Sequence, residues 1–153
     1  MTEPKPAPRR VVTGLNADGK SCVIIDGPVP DHGSPARLVW RTTAVPADNA
    51  GNEDAGAQRY TMDMLHDGGS NFMITELPVG IGRFMHITDT VDYMFILSGR
   101  GVLELEDGDV EVGPGDYVVD RGVMHSWRVD GPEPLMMASV TLPAQPLAGG
   151  RTI

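Results

Sequence analysis

An antiparallel all-β domain, closed into a barrel or jelly roll, is the fold that this 153-residue chain predicts. Nineteen glycines and thirteen prolines make up about a fifth of it, against about 12% in average composition. Helix interiors reject proline by ~3 kcal/mol and glycine by ~1 kcal/mol, whereas a fold of many short strands uses both at its turns. The second observation is spacing. From residue 58 onward, short apolar and β-branched runs alternate with turn dipeptides, and none keeps a helical period over three turns.

The elements follow in order. Val11-Val12 and the run 21–25 flank Asn16-Ala-Asp-Gly19 and predict an opening hairpin. Residues 26–36 are turn-rich, 37–43 predict a strand, and the polar stretch 46–57 predicts a loop. Strands are then expected at 60–65, 71–77, 82–88, 92–97, 102–106, 109–112, 117–120, 125–129 and 135–142. Asp67-Gly-Gly69, Ser98-Gly99, Asp107-Gly108, Gly113-Pro-Gly-Asp116 and Asp130-Gly-Pro132 supply turns between them. No repeat or linker divides the chain, so the expected organisation is a disordered leader at 1–8, one domain over 9–142 and a loose tail at 143–153.

Composition excludes several function classes. The net charge is −9, and no basic cluster is longer than Arg9-Arg10. Nucleic acid and anionic membrane both need a positive face, so neither is an expected partner. The single Cys22 rules out an internal disulfide and a cysteine-based zinc site. The first ten residues carry no apolar segment, and the run 135–142 is too short to span a bilayer. A cytoplasmic protein is the expectation.

Chemistry concentrates around two of the four histidines. In the run 82–88 the two-residue period places Phe84, His86 and Thr88 on one face. Asp92 follows at the head of an apolar strand, where an inward carboxylate needs a partner or a shifted pKa. His125 follows the Arg121-Gly122 turn and alternates with Trp127, while Asp120 precedes that turn. Asp120 is either a second pocket carboxylate or a solvated turn residue. The nine methionines, Met94 among them, fill a core or line an adaptable pocket. His32 and His66 lie beside turn residues and are expected at the surface.

The stretch Gly80-x5-His86-x-Thr88-x3-Asp92-x6-Gly99 resembles the first signature of the cupin superfamily, G-x5-H-x-H-x3 or 4-E-x6-G. Gly113-Pro-Gly-Asp116, Gly122-x2-His125 and Trp127 resemble the second. A group of small single-domain cupins is closer still. It reads M-H-R-T-D-T-x-D-Y, then L-x-G-E, then G-D-x-V-V-Q-R-G-x-x-H-A-W. Here the chain has Met85-His-Ile-Thr-Asp-Thr-Val-Asp-Tyr93, Leu97-Ser-Gly-Arg100 and Gly115-Asp-Tyr-Val-Val-Asp-Arg-Gly-Val-Met-His-Ser-Trp127. The signature core spans about 80–129 within the domain.

The resemblance implies a double-stranded β-helix with an N-terminal strand-and-loop extension. It also implies a divalent metal (Zn, Fe, Mn or Ni) on His86, Asp92 and His125. Thr88 stands where a second histidine is usual, which reduces four protein ligands to at most three, the make-up of a facial triad. Phe84, Thr88, Met94 and Trp127 would line the substrate pocket. The implied function is a metal-assisted lyase (decarboxylase or dehydratase) or isomerase acting on a small oxo- or hydroxy-acid or polyketide-like ligand. Asp92 and Asp120 would be the catalytic carboxylates, the ion acting as Lewis acid. An Fe(II)-dependent dioxygenase and a non-catalytic binding or sensing cupin are the alternatives. A homodimer is expected from the apolar alternate face Tyr93, Phe95 and Leu97.

Overall fold

The computed structural model describes residues 5–153. Ten strands and one 3-10 turn follow in order, and every strand pair is antiparallel. The strands are β1 (Arg9–Leu15), β2 (Ser21–Pro28), β3 (Ala36–Thr42), β4 (Ser70–Leu77), β5 (Thr90–Ser98), β6 (Gly101–Leu105), β7 (Val110–Val112), β8 (Tyr117–Asp120), β9 (His125–Arg128) and β10 (Leu135–Pro143), with the turn at Met62–His66. A five-stranded sheet has the order β3-β4-β10-β5-β8, a three-stranded sheet has β7-β6-β9, and β1-β2 form a separate hairpin. Among the described residues no helix is long and apolar enough to cross a membrane.

Alternation along β5 shows how the sheets pack. Met94 and Ile96 are buried while Tyr93 and Leu97 are exposed. With Leu135 and Met137 of β10, the inward pair meets Val112 and Val129 from the second sheet side. Each such fully buried aliphatic side chain contributes about 1.5–3 kcal/mol. At β3, β4 and β10 the pattern differs, because the neighbours Leu38-Val39, Met73-Ile74 and Met136-Met137 are all buried. Neighbours on a strand point to opposite faces, so both faces are covered there. Val29, which follows β2, joins Val39, Ile74 and Met136 on the outer side. The N-terminal extension thus seals the back of the large sheet and leaves its front for a cavity.

The loop 46–57 is tied down at its far end. Asp54 takes the Arg10 guanidinium through both oxygens, and Arg10 Nη1 also donates to the Val39 carbonyl at 3.0 Å. Asn52 Nδ2 donates to the Leu15 carbonyl at 3.0 Å. The loop therefore clamps β1 against β3.

Three segments depart from expectation. The run 60–65 is no strand: Met64 and Leu65, adjacent in sequence, are buried in one cluster with Leu38 and Met73, which a turn permits and a pleat does not. The Met62/Met64 alternation imitated a strand period. Residues 82–88 form no strand and, among the described residues, bridge only at His86, which pairs with His125. The tail is anchored, since Ala144 N donates to the Asp89 carbonyl (2.8 Å) and Thr152 N to the Ile87 carbonyl (2.9 Å). Thr152 Oγ1 accepts from Ile87 N at 2.9 Å. In the leader, residues 1–4 lie outside the described residues, and Pro8 accepts a hydrogen bond from Val29 N at 2.7 Å.

The Arg10 hydrogen bond holds the Asp54 carboxyl below the usual carboxylate range. A depressed folded-state pKa stabilises above the unfolded value of about 3.9 and is lost as pH falls through the folded one. Asp54→Asn is therefore expected to cost about 2–3 kcal/mol at pH 7, less than for a fully buried pair because Asp54 is 30% exposed. Urea unfolding at pH 7 and pH 3 checks this, with the difference shrinking at the lower pH.

Candidate functional site

The connection between β8 and β9 builds one wall of the site. Gly122 has φ +71°, and a Cβ there would meet the Thr88 and Thr90 carbonyl oxygens at 2.9 Å, so only glycine fits. Asp120 closes the turn from within, Oδ1 accepting from Gly122 N (2.9 Å) and Val123 N (3.2 Å). Its Oδ2 lies 2.8 Å from His125 Nδ1. The Nδ1 proton is aligned on the Val123 carbonyl at 2.9 Å, so Asp120 Oδ2 sits beside it as a charge contact. Asp120 is therefore neither a solvated turn residue nor a cavity-lining carboxylate. It is a buried group behind His125.

His86 reaches the same place from the segment 82–88. His86 N donates to the His125 carbonyl (2.9 Å) and His125 N to that of His86 (3.1 Å). The two rings are 4.4 Å apart between centroids. His86 Nδ1 meets the Phe84 carbonyl at 2.8 Å, as His125 Nδ1 meets that of Val123. A carbonyl only accepts, so the proton sits on Nδ1 in both rings and Nε2 is the free position. On β5, Asp92 stands opposite Asp120 in register and opposite Thr141 on its other side. Asp92 Oδ1 is buried and has no hydrogen-bond partner among the described residues. Thr88 and Thr90 share a 2.7 Å hydroxyl contact beneath it.

These surroundings tune the groups in opposite directions. Burial pushes the Asp92 carboxyl up to about 6, with the Asp120 charge adding to it and a Thr90 hydrogen bond opposing. For His125, burial disfavours the charged ring, but the Asp120 carboxylate outweighs it and raises the pKa. Burial likewise works against the Asp120 charge and is outweighed by His125, so its pKa is lowered. Burial lowers His86, against the Phe84 carbonyl.

His86, Asp92 and His125 line one cavity of about 320 Å³, as do Phe84, Thr88, Met94 and Trp127. Residues 73–141 match the cupin domain model. A Klebsiella pneumoniae protein with a double-stranded β-helix domain superposes with a TM-score of 0.50 at 19% identity, over 76% of this chain and 83% of that one. The chain thus carries a segment that matches the cupin domain, and its fold is that of a double-stranded β-helix. Among sequence relatives, the chain is 28% identical to phomopsin biosynthesis cluster protein D of Diaporthe leptostromiformis, over 92% of this chain and 80% of that protein. It is also 28% identical to the cupin-domain-containing oxidoreductase srdD of Neurospora crassa, over 81% and 69%.

A divalent metal at the front of the barrel, as the resemblance implies, needs donors that converge on one point. His86 and His125 each keep Nε2 free, and Asp92 has an orphaned oxygen. Yet among the described residues no three His, Cys, Asp or Glu side chains converge on one point. The expected set of His86, Asp92 and His125 faces one cavity without forming a three-ligand centre.

Among the cavity residues that the sequence did not point to are Tyr60, Leu65 and Ile153. All lie outside the matched segment, in the run read as a strand or in the tail read as loose. His66, expected at the surface, is half-buried with Nε2 covered and unpartnered.

Replacing Asp120 by Asn removes the charge that sustains the His125 imidazolium and leaves its burial in place. The His125 pKa is expected to fall below the ordinary histidine value of about 6.5, read from the imidazole proton shift in an NMR titration. An unchanged His125 midpoint contradicts this assignment.

Proposed function

We propose that this protein is a lyase or isomerase acting on a small oxo- or hydroxy-acid or polyketide-like ligand, by proton movement next to a carbonyl or carboxylate. One observation carries the reading. An imidazole held toward its charged form and a carboxyl held toward its neutral form face the same largely apolar cavity. Environments that push two titratable groups apart in this way assign an acid and a base. The relatives named for phomopsin biosynthesis support a substrate from small-molecule biosynthesis.

In decarboxylation, dehydration and isomerisation alike, an electron pair moves toward a carbonyl oxygen as a bond to the neighbouring carbon breaks. His125, protonated and backed by Asp120, would hold the negative charge growing on that oxygen. Asp92, ionised above about pH 6, would take the proton from carbon in isomerisation and dehydration. It would return that proton to another atom of the substrate in the first and pass it to the departing hydroxide in the second. In decarboxylation CO₂ leaves without it, and the acid form of Asp92 would protonate the carbanion left behind. Asp120 then acts through His125, a positioning role in place of the direct one expected from sequence. Met73, Met94 and Met137 on the cavity wall suit a variable apolar body. No step runs through a metal ion, because the donors do not converge.

The test is turnover of a panel of β-oxo and β-hydroxy acids without oxygen and with EDTA. Activity is expected to persist, in isomerisation or dehydration to rise with pH through about 6 as Asp92 ionises, and to fall at higher pH as His125 loses its proton. Asp92→Asn should lower kcat/KM about 10²–10⁴-fold. Loss of activity with EDTA, restored by Fe, Zn, Mn or Ni, would return the metal-assisted version. The oxidoreductase name of the Neurospora relative favours a second reading, an Fe(II)-dependent dioxygenase, and strict dependence on oxygen would select it. An unchanged ligand that co-purifies without turnover would indicate a binding or sensing role.

The same reading includes cytoplasmic residence and a homodimer. On the outer sheet face, Tyr93 pairs with Val119 and Phe95 with Tyr117 across β5 and β8, and β8 is an edge strand. Tyr117 is 80% and Val119 60% exposed, an apolar stripe that a second copy would cover. Light scattering is expected to give twice the 16.4 kDa chain mass and to give the single mass for Tyr117→Glu; a monomeric wild type ends the dimer reading.

A further inference from the structure

One polar group on the cavity wall has no part in the proton movement described above. Tyr60 lines the cavity just ahead of the 3-10 turn, its ring packed on the cluster of Leu38, Met64, Leu65 and Met73. Its hydroxyl donates to Met62 Sδ at 3.5 Å, and a thioether is a weak acceptor. Burial raises the phenol pKa, and the Asp92 charge raises it further. Tyr60 is therefore a neutral donor within electrostatic reach of Asp92.

The opposite deficiency exists on β5. Asp92 Oδ1 is a buried acceptor without a donor among the described residues. The cavity thus holds a donor whose protein partner is a sulfur and an acceptor with no donor among the described residues. A buried carboxylate oxygen left in this way is costly, and a ligand that satisfies it gains what the free protein forgoes. A carbonyl or ether answers Tyr60 alone. An ammonium answers Asp92 alone. A hydroxyl both accepts and donates, and so answers both with one atom.

We propose that the cavity recognises its ligand through a hydroxyl group, alcoholic, phenolic or enolic, which accepts from Tyr60 and donates to Asp92 Oδ1. The assignment rests on reading this cavity as the ligand site, and it narrows the substrate class to hydroxylated or enolisable compounds. Tyr60 is then a specificity-determining residue supplied from outside the matched cupin segment.

Phenol and toluene form a matched pair of probes, differing in OH against CH₃, and binding of each is measured by NMR titration. Tyr60→Phe is expected to weaken phenol about 5–10-fold and to leave toluene unchanged. Tyr117→Phe removes a phenolic hydroxyl on the outer sheet face, away from the cavity, so it should preserve the phenol-to-toluene ratio of the wild type. Amide spectra of both variants establish that the fold is retained. Should Tyr60→Phe affect both probes equally or neither, hydroxyl recognition is overturned while the cavity stands as a binding site. If neither probe binds the wild type, the cavity reading falls together with it.

Discussion

A carboxylate placed inside a small barrel must be neutralised or satisfied, and the site is arranged around how this is done for Asp120. Its two oxygens hold two backbone N–H groups of the β8–β9 turn and one histidine ring. The turn fixes where β9 begins, and β9 begins with His125. Among the described residues His125 is in turn the only bridge partner of His86, so the segment that carries His86 is located by the same anchor. Asp92, opposite Asp120 across the sheet, receives a neighbouring negative charge in addition to its burial. One buried charge therefore sets positions on three segments and shifts the proton affinity of the groups facing the cavity.

Much of the barrel was legible in the sequence because its strands obey local rules. The opening hairpin is marked by its Asp-Gly turn, and β5 by strict alternation that the structure reproduces as buried Met94 and Ile96 against exposed Tyr93 and Leu97. The signature spacing brought His86, Asp92 and His125 to one cavity wall. The run 60–65 was illegible because two methionines separated by one residue look the same in a strand and in a 3-10 turn. Only the cluster that takes in both Met64 and Leu65 decides between them. The role of Asp120 was also hidden, since a turn carboxylate followed by glycine looks the same whether it faces water or a ring nitrogen.

The cavity is composite. Its floor comes from β4, β5 and β10, within the segment that matches the cupin domain. Tyr60, Met62 and Leu65 come from the connection before β4, and Ile153 from the far end of the chain. The floor and His86, Asp92 and His125 therefore lie within the matched segment, while part of the wall offered to a ligand comes from outside it. The clamp of Arg10 on Asp54 and Val39 holds the start of the long connection from which Tyr60 emerges.

The place of β10 has a consequence for how the protein is made. It is the last of the described strands, yet it lies in the middle of the large sheet, bonded on one side to β4 and on the other to β5. During synthesis β4 and β5 emerge first and face each other across a gap that nothing fills until residues 135–143 have left the ribosome. Both then present bare strand edges, a template for pairing with other nascent chains. The large sheet therefore closes only once β10 is in place, and shortening the chain before Leu135 removes the strand that joins its two halves.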